Sequence, residues 1–175
     1  MISDKDLDRC ARIERECWKE NFAPLLGISE YLYFQTDISV KKELTSILEN
    51  KDAHILLSYK KTPRNFEVGE FNKDIAGFAI VRLGCNSKNI QQYYIDKLYI
   101  SPEFQHQGIG QSMLEAIINA FNNYSINLSI IKENRIAEHI LLKNGFKKTT
   151  EKKLKLEYGK NVLPITYSYF LLERK

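Results

Sequence analysis

Residues 93–112, YYIDKLYISPEFQHQGIGQS, limit the possible folds of this chain more than any other segment. The first half is apolar and rich in aromatic residues and isoleucine, which predicts a strand, and Ser101-Pro102 ends it. Gly108 and Gly110 then precede an apolar stripe with helical spacing, which predicts a helix start. Free N–H groups at a helix start bind phosphate oxygens. The segment therefore predicts a strand, a glycine-rich loop and a helix arranged as a pyrophosphate cradle.

Two common phosphate-binding motifs do not match this spacing. A P-loop requires Gly-Lys-Ser/Thr, whereas Gly110 is followed by Gln111 and Ser112. A dinucleotide fingerprint requires a third glycine where Met113 stands. Both motifs are excluded, and the pattern that remains is Gln-x-x-Gly-x-Gly after a strand that ends in proline.

This pattern resembles the acetyl-CoA signature of the GNAT superfamily of N-acetyltransferases, Gln/Arg-x-x-Gly-x-Gly/Ala. A second segment, residues 134–146, is similar to the family's Asn-x-x-Ala-x-x-Leu-Tyr-x-Lys-x-Gly-Phe helix. The match is close over residues 74–146, and residues 18–26 resemble the family's first helix and loop more loosely. Two motifs in the family's order identify the chain as a suspected member.

The resemblance implies an α/β (α+β) fold. We expect a single N-acetyltransferase domain over residues 1–175, with a mixed central sheet and helices on both faces. The family's first strand would be short or missing, because only Met1-Ile2 precede the first predicted helix.

The residue periodicity divides the chain into alternating elements. It predicts helices at residues 4–21, 40–48, 108–124 and 134–144 and strands at residues 53–59, 75–83, 93–101, 126–131, 146–158 and 165–172. The long polar connection between the first two strands predicts a mobile tip, and Gly159, Lys160 and Asn161 predict a turn. Residues 28–36 are aromatic and ambiguous.

The resemblance also implies the cofactor site, with acetyl-CoA as cosubstrate. Backbone groups of the strand end would pair with the pantetheine arm, the loop amides would hold the pyrophosphate, and an asparagine of the last helix would contact the cofactor. The predicted cofactor-binding residues are Leu98, Tyr99, Ile100, Gln105, His106, Gln107, Gly108, Ile109, Gly110, Gln111, Ser112 and Asn134.

Acetyl transfer to an amine also needs a base and a proton for the leaving thiolate. The resemblance assigns Tyr94 and Asp96 as catalytic residues, and strand alternation predicts that Tyr94, Asp96, Leu98 and Ile100 share one face. The alternative for Asp96 is a structural role, paired with a nearby lysine or capping a loop. The family's general acid is typically a tyrosine on the last helix, where this chain has Leu141. Either another hydroxyl protonates the thiolate, or the thiolate leaves directly to solvent, or the protein binds CoA without turning it over.

The resemblance therefore implies an N-acetyltransferase that moves an acetyl group to a primary amine by direct attack in a ternary complex. The departure at Leu141 leaves a rival function open, a CoA-binding regulatory protein without transferase activity. A longer acyl donor is a third alternative. The acceptor would be a small molecule, such as a polyamine, or a peptide. Acidic and aromatic residues near the first two helices suit a cationic amine, although solvated helix charges and core aromatics explain the same residues: Glu20, Glu30, Tyr31, Tyr33, Phe34 and Asp37.

Composition limits the remaining possibilities. A chain of 175 residues with 43% hydrophobic content predicts one hydrophobic core. No apolar run reaches the roughly 18 residues that a membrane-spanning helix needs. Three cysteines without a disulfide framework or metal spacing predict reduced thiols, hence a cytoplasmic protein without a metal. The net charge of +4 is mild, and the lysines at 152–155 alternate with apolar residues, as on the solvent face of a strand. We therefore expect no nucleic-acid or membrane partner, with a homodimer left open.

Overall fold

The structure, a computed structural model, describes residues 2–27, 36–65, 70–158 and 161–174. Its strands are β1 (Ala53–Asn65), β2 (Glu70–Cys85), β3 (Gln91–Ile100), β4 (Ile126–Ile131), β5 (Lys147–Tyr158) and β6 (Asn161–Leu172). Its α-helices are α1 (Asp4–Cys17), α2 (Ala23–Leu26), α3 (Asp37–Leu48), α4 (Ile109–Ala120) and α5 (Arg135–Lys143). A π-helical turn (Trp18–Phe22) joins α1 to α2, and a 3₁₀ turn (Pro102–Phe104) follows β3.

The strands form one six-stranded sheet in the order β1-β2-β3-β4-β6-β5. β3 and β4 are parallel, and the other neighbouring pairs are antiparallel. A parallel pair needs a crossover connection, and α4 supplies it. The predicted mixed sheet with helices on both faces is confirmed.

The sheet separates two hydrophobic cores. Phe78 and Ile80 of β2 pack against α1 and α3, whereas Ala79 and Val81 pack against α4 and α5. This division follows from strand geometry, because successive side chains point to opposite faces. A smaller cluster, which includes Trp18 and Ile131, closes the sheet beneath the π-helical turn.

The first helix begins where its capping residues predict. The Ser3 side chain accepts a hydrogen bond from the Asp6 N–H, and the Asp6 carboxylate accepts one from the Ser3 N–H, which together form a capping box. The predicted single helix over residues 4–21 is wrong at its end, since α1 stops at Cys17 and continues as the π-helical turn. Pro24 then lies in the first turn of α2, where a missing N–H costs little.

The strands also differ from the predicted boundaries. β1 and β2 extend to the pair Asn65 and Glu70, so the predicted long polar connection between them is largely strand. Its tip, residues 66–69, lies outside the described residues, as do residues 28–35 and 159–160. β6 begins at Asn161, four residues before the predicted start. In the described part of the chain no strand precedes α1, in keeping with a first strand that is short or missing.

Composition predicts reduced cysteines and no membrane-spanning segment, and the structure describes features relevant to both. Cys10, Cys17 and Cys85, all within the described residues, form no disulfide. No helix of the described segments is both long and apolar enough to cross a membrane.

A buried ion pair fastens α1 to β3. The Lys97 ammonium lies 2.6 Å from Glu14 Oε1 and 2.8 Å from Glu43 Oε1, with the Glu14 side chain only 4% exposed. Burial raises the pKa of Glu14, and Lys97 opposes that shift. A buried carboxylate of this kind depends on its partner, because an unpaired charge in an apolar interior is costly.

We predict that Lys97→Met destabilises the protein by about 3–5 kcal/mol, because it leaves Glu14 buried without a counter-charge. The double variant Glu14→Met/Lys97→Met is expected to recover most of that loss. Urea denaturation measures both. Lys132→Met is the matched control, since Lys132 and Glu151 are 43% and 32% exposed and their pair is worth less than about 1 kcal/mol. Equal losses for Lys97→Met and Lys132→Met would contradict the prediction.

Candidate active site

The parallel strands β3 and β4 separate in the middle of the sheet. They pair only from Tyr93–Ile95 to Ile126–Leu128, and beyond these residues the two strands are not hydrogen-bonded to each other. A cavity of about 290 Å³ lies at the separation. Its walls are the ends of both strands, the start of α4, one face of α5, the π-helical turn and one residue of β6. The cavity therefore reaches residues on both faces of the sheet.

A β-bulge at Asp96 accompanies this separation. Ile80 of β2 pairs with Lys97, and the next residue, Val81, pairs with Ile95, so Asp96 is the extra residue. A bulge bends its strand and increases the local twist. It also resets the side-chain alternation, which the sequence alone does not reveal.

The register of β2 and β3 determines which backbone groups of β3 face the gap between β3 and β4. The Ser101 N–H donates to the Ala76 carbonyl at 2.8 Å, and hydrogen-bonded pairs alternate along an antiparallel ladder. Tyr99 therefore bonds towards β2, whereas Leu98 and Ile100 turn their N–H and C=O groups towards the gap. This is the orientation that an extended pantetheine arm would need in order to pair with β3.

The Ile100 carbonyl anchors the turn that follows β3. It accepts a hydrogen bond from Gln105 Nε2 at 2.9 Å and one from the Cys17 thiol at 3.0 Å. Burial raises the pKa of Cys17 to about 12, so the thiol keeps the proton that it donates. Gln105 thus holds the loop against the strand.

The glycine-rich loop presents backbone donors at the start of α4. His106 and Gly108 have φ angles of 59° and 79°, which curl the chain immediately before the helix. Gly108 occupies the N-cap position without a capping side chain, and the first N–H groups of a helix have no intrahelical acceptor. The N–H groups of Ile109, Gly110 and Gln111 are therefore oriented to bind an anion. The residues present fit the diphosphate of CoA.

Three side chains of the predicted cofactor site have other partners. Gln107 accepts a hydrogen bond from Lys60 Nζ at 3.0 Å. Gln111 bonds with the Asn144 amide at 3.2 Å. Asn134 caps α5 by accepting from the Ala137 N–H at 3.1 Å, and it lines the cavity. The structure thus gathers the predicted cofactor residues around the gap and the loop, and their contacts with CoA stay predictions.

The bulge changes the predicted faces of β3. Tyr93, Ile95, Leu98 and Ile100 all pack with α4 and α5. Tyr99 packs with α1. The expectation that Tyr94 and Asp96 share a face with Leu98 and Ile100 is wrong, because one extra residue at the bulge inverts the alternation.

Both predicted catalytic residues make structural contacts at this bulge. Asp96 accepts hydrogen bonds from Arg82 Nε at 2.8 Å and Arg82 Nη2 at 3.2 Å, and this interaction raises the pKa of Arg82. The Tyr94 hydroxyl bonds with the Gln92 side chain and the Cys85 carbonyl. Of these two candidates only Asp96 lines the cavity within the described residues. Their catalytic roles stay predictions.

Leu141 occupies the position of the family's acid. Its side chain is 3% exposed, belongs to the core beneath α5 and lines the cavity. It provides no proton donor, so the departure noted in the sequence is a real difference in the chemistry of the site.

Within the described residues, four aromatic side chains line the cavity from the α1 face, and the sequence identified their role only in part. Trp18 and Phe22 come from the π-helical turn, their rings 5.3 Å apart. Trp18 hydrogen-bonds to Tyr99, whose pKa burial raises well above its usual value. Tyr167 of β6 completes the group. Sequence reasoning missed Tyr167, because its place at the gap depends on the pairing of β6 with β4.

No group of three or more histidine, cysteine, aspartate or glutamate side chains that could bind a metal occurs within the described residues.

Comparison with known proteins identifies the family to which this glycine-rich loop belongs. Residues 62–148 match the family described as the acetyltransferase (GNAT) domain. The chain belongs to the GNAT acetyltransferase family. A curated GNAT relative, the spermidine N(1)-acetyltransferase of Thermoplasma acidophilum, is 24% identical over 152 residues, which cover 83% of this chain and 85% of the relative. The predicted acetyltransferase that uses acetyl-CoA is thus confirmed at the level of the family.

Solved GNAT structures share the whole fold. Arabidopsis thaliana NAA60 in complex with a bisubstrate analogue matches 97% of this chain and 94% of its own, with a TM-score of 0.68 at 14% identity. The PaiA N-acetyltransferase of Thermoplasma acidophilum in complex with coenzyme A matches 95% of this chain and 94% of its own, with a TM-score of 0.59 at 19% identity. At these identities the likeness establishes the fold.

We predict that Gly108→Ala weakens acetyl-CoA binding about tenfold, because alanine in the left-handed region costs about 1–2 kcal/mol and the loop would relax away from its cradle geometry. Gly110→Ala is the matched control. Gly110 lacks a left-handed φ, and an added Cβ would lie 3.5 Å from Ile100 Cγ1, an ordinary contact. Calorimetric titration with acetyl-CoA measures both variants. Equal weakening in the two variants would show that the bulk of the added methyl group, and not the conformation of the loop, governs acetyl-CoA binding.

Proposed function

We propose that this protein transfers the acetyl group of acetyl-CoA to a primary amine by direct attack in a ternary complex. The observation that carries the proposal is the gap between β3 and β4. It joins an amide-rich loop that fits CoA to an aromatic wall on the α1 face. The two substrates would meet at the gap, where the thioester and the amine can react without a covalent enzyme intermediate.

The acceptor side of the gap suits an amine with an alkyl chain, such as a polyamine. Trp18, Phe22, Tyr99 and Tyr167 provide aromatic surface, which attracts alkylammonium groups. A shallow depression that includes Ser101 is lined by Glu16, Glu20 and Glu103, of which Glu16 and Glu103 also pair with Arg9. The spermidine N(1)-acetyltransferase relative supports the same acceptor class. A peptide amine is the other candidate acceptor.

The residues first proposed for acceptor binding are only partly described. Residues 30–34 lie outside the described residues. Glu20 is exposed, and Asp37 pairs with Arg15 at 2.6 Å. The proposal therefore depends on the aromatic wall and not on these residues.

The second candidate function is CoA binding without transfer. Leu141 favours it, because an aliphatic side chain stands where the family places its acid. The two functions differ in turnover and not in affinity for CoA.

We predict that thiol release from acetyl-CoA is accelerated by polyamines more than by aminoglycosides, amino acids or peptides with a free N-terminus. The expected reason is that a polyamine offers both a reacting amine and a second ammonium for the aromatic and acidic surfaces. A thiol-trapping dye measures the release. Thermal stabilisation by acetyl-CoA without turnover of any amine would favour the binding function.

For the base we retain Asp96, acting on the amine through water, and predict that Asp96→Asn lowers kcat about 100-fold or more. The pH–rate profile is expected to change when the carboxylate is lost. Arg82→Gln is the matched control, because it breaks the same ion pair and leaves the carboxylate in place. Similar pH profiles and rates in the two variants would assign Asp96 a structural role.

A further inference from the structure

Leu141 stands where the family has its tyrosine, so the leaving thiolate needs another proton donor. Few of the residues described around the cavity carry a hydroxyl group. Among the lining residues that the structure describes, the hydroxyl groups belong to Tyr99, Ser129 and Tyr167. The Tyr99 hydroxyl accepts a hydrogen bond from the Trp18 indole, and the Tyr99 ring is packed against Phe22 and Phe78. Burial raises the pKa of Tyr99 well above its usual value, which makes it a weak proton donor.

Tyr167 differs from Tyr99 in what it offers to the gap. Its backbone lies inside the sheet, paired with Ile131 of β4 and Lys152 of β5, so its ring is the part that reaches the cavity. Ile131 is also the last residue of β4 beside the gap. Within the described residues the Tyr167 hydroxyl has no hydrogen-bond partner, which leaves its proton available to a substrate atom.

We infer that Tyr167 donates the proton that the leaving thiolate of CoA requires, in place of the tyrosine that Leu141 replaces. This inference rests on the proposed function. When the amine nitrogen forms its bond to the carbonyl carbon, the carbon–sulfur bond breaks and its electron pair goes to sulfur. Tyr167 gives its phenolic proton to that sulfur, and the proton lost by the nitrogen returns through water to the phenolate. The products are the amide and the free thiol of CoA.

The surroundings of Tyr167 support this role. Burial raises the pKa of Tyr167, so the phenol stays protonated at neutral pH. Leu141 lines the same cavity from the other face of the sheet. A donor on β6 can therefore reach the gap that a donor on α5 would reach.

Tyr167→Phe is the test, with Tyr169→Phe as the matched control two residues along β6, where the ring lies 5.3 Å from Lys152 Nζ. We expect Tyr167→Phe to lower kcat about 100-fold while KM for acetyl-CoA stays near the wild-type value, because the proton is needed only as the bond breaks. Tyr169→Phe should keep the wild-type kcat. Adding Leu141→Tyr to Tyr167→Phe should restore much of the rate.

Binding gives a readout independent of turnover. The wild type is expected to bind CoA about 3- to 10-fold more tightly than desulfo-CoA, because the Tyr167 hydroxyl hydrogen-bonds to the sulfur. Tyr167→Phe should lose that preference and Tyr169→Phe should keep it. If the wild type acetylates no amine, the proposed function fails, and this comparison still decides the contact. A Tyr167→Phe variant with wild-type kcat and wild-type preference for CoA would overturn the inference.

Discussion

The loss of hydrogen bonding between β3 and β4 is the constraint on which the site depends. A strand in the interior of a sheet normally uses its backbone groups on both edges. Here β3 remains bonded to β2 throughout while one edge is released after Ile95, so the sheet stays continuous and still exposes main-chain donors and acceptors. The bulge at Asp96 adds the local bend, and α4 starts where the released strand ends. The predicted recognition of the cofactor by backbone groups follows from this single departure from regular pairing.

The helices on the two faces of the sheet contribute differently to the gap between β3 and β4. On one face α4 and α5 complete a conventional core, in which Leu141 is as well buried as its neighbours. On the other face the π-helical turn brings Trp18 and Phe22 over the opening, while Glu14 and Lys97 hold α1 to β3 behind them. The proposed acetyl-CoA side is therefore built from main chain, and the proposed acceptor side from aromatic side chains.

Local patterns in the sequence were sufficient for most of the fold. Proline after β3, glycine before α4 and asparagine before α5 each mark a boundary through their own backbone chemistry, and all three boundaries agree closely with the structure. The bulge could not be predicted, because alternation counts residues and gives no sign of an extra one. The partner of Asp96 was equally hidden, since it depends on the register that brings Arg82 alongside. Tyr167 depends on pairing between strands distant in sequence, which no local pattern records.

The hydrogen bond from Cys17 to the Ile100 carbonyl has a practical consequence. A thiol with a pKa of about 12 contains almost no thiolate at neutral pH, and the thiolate is the form that alkylating reagents attack. Cys10 is protected in the same way, because burial raises its pKa to about 12. Cys85, at the end of β2, is exposed. The native chain thus offers a single accessible thiol to which a fluorophore can be attached without any engineered cysteine.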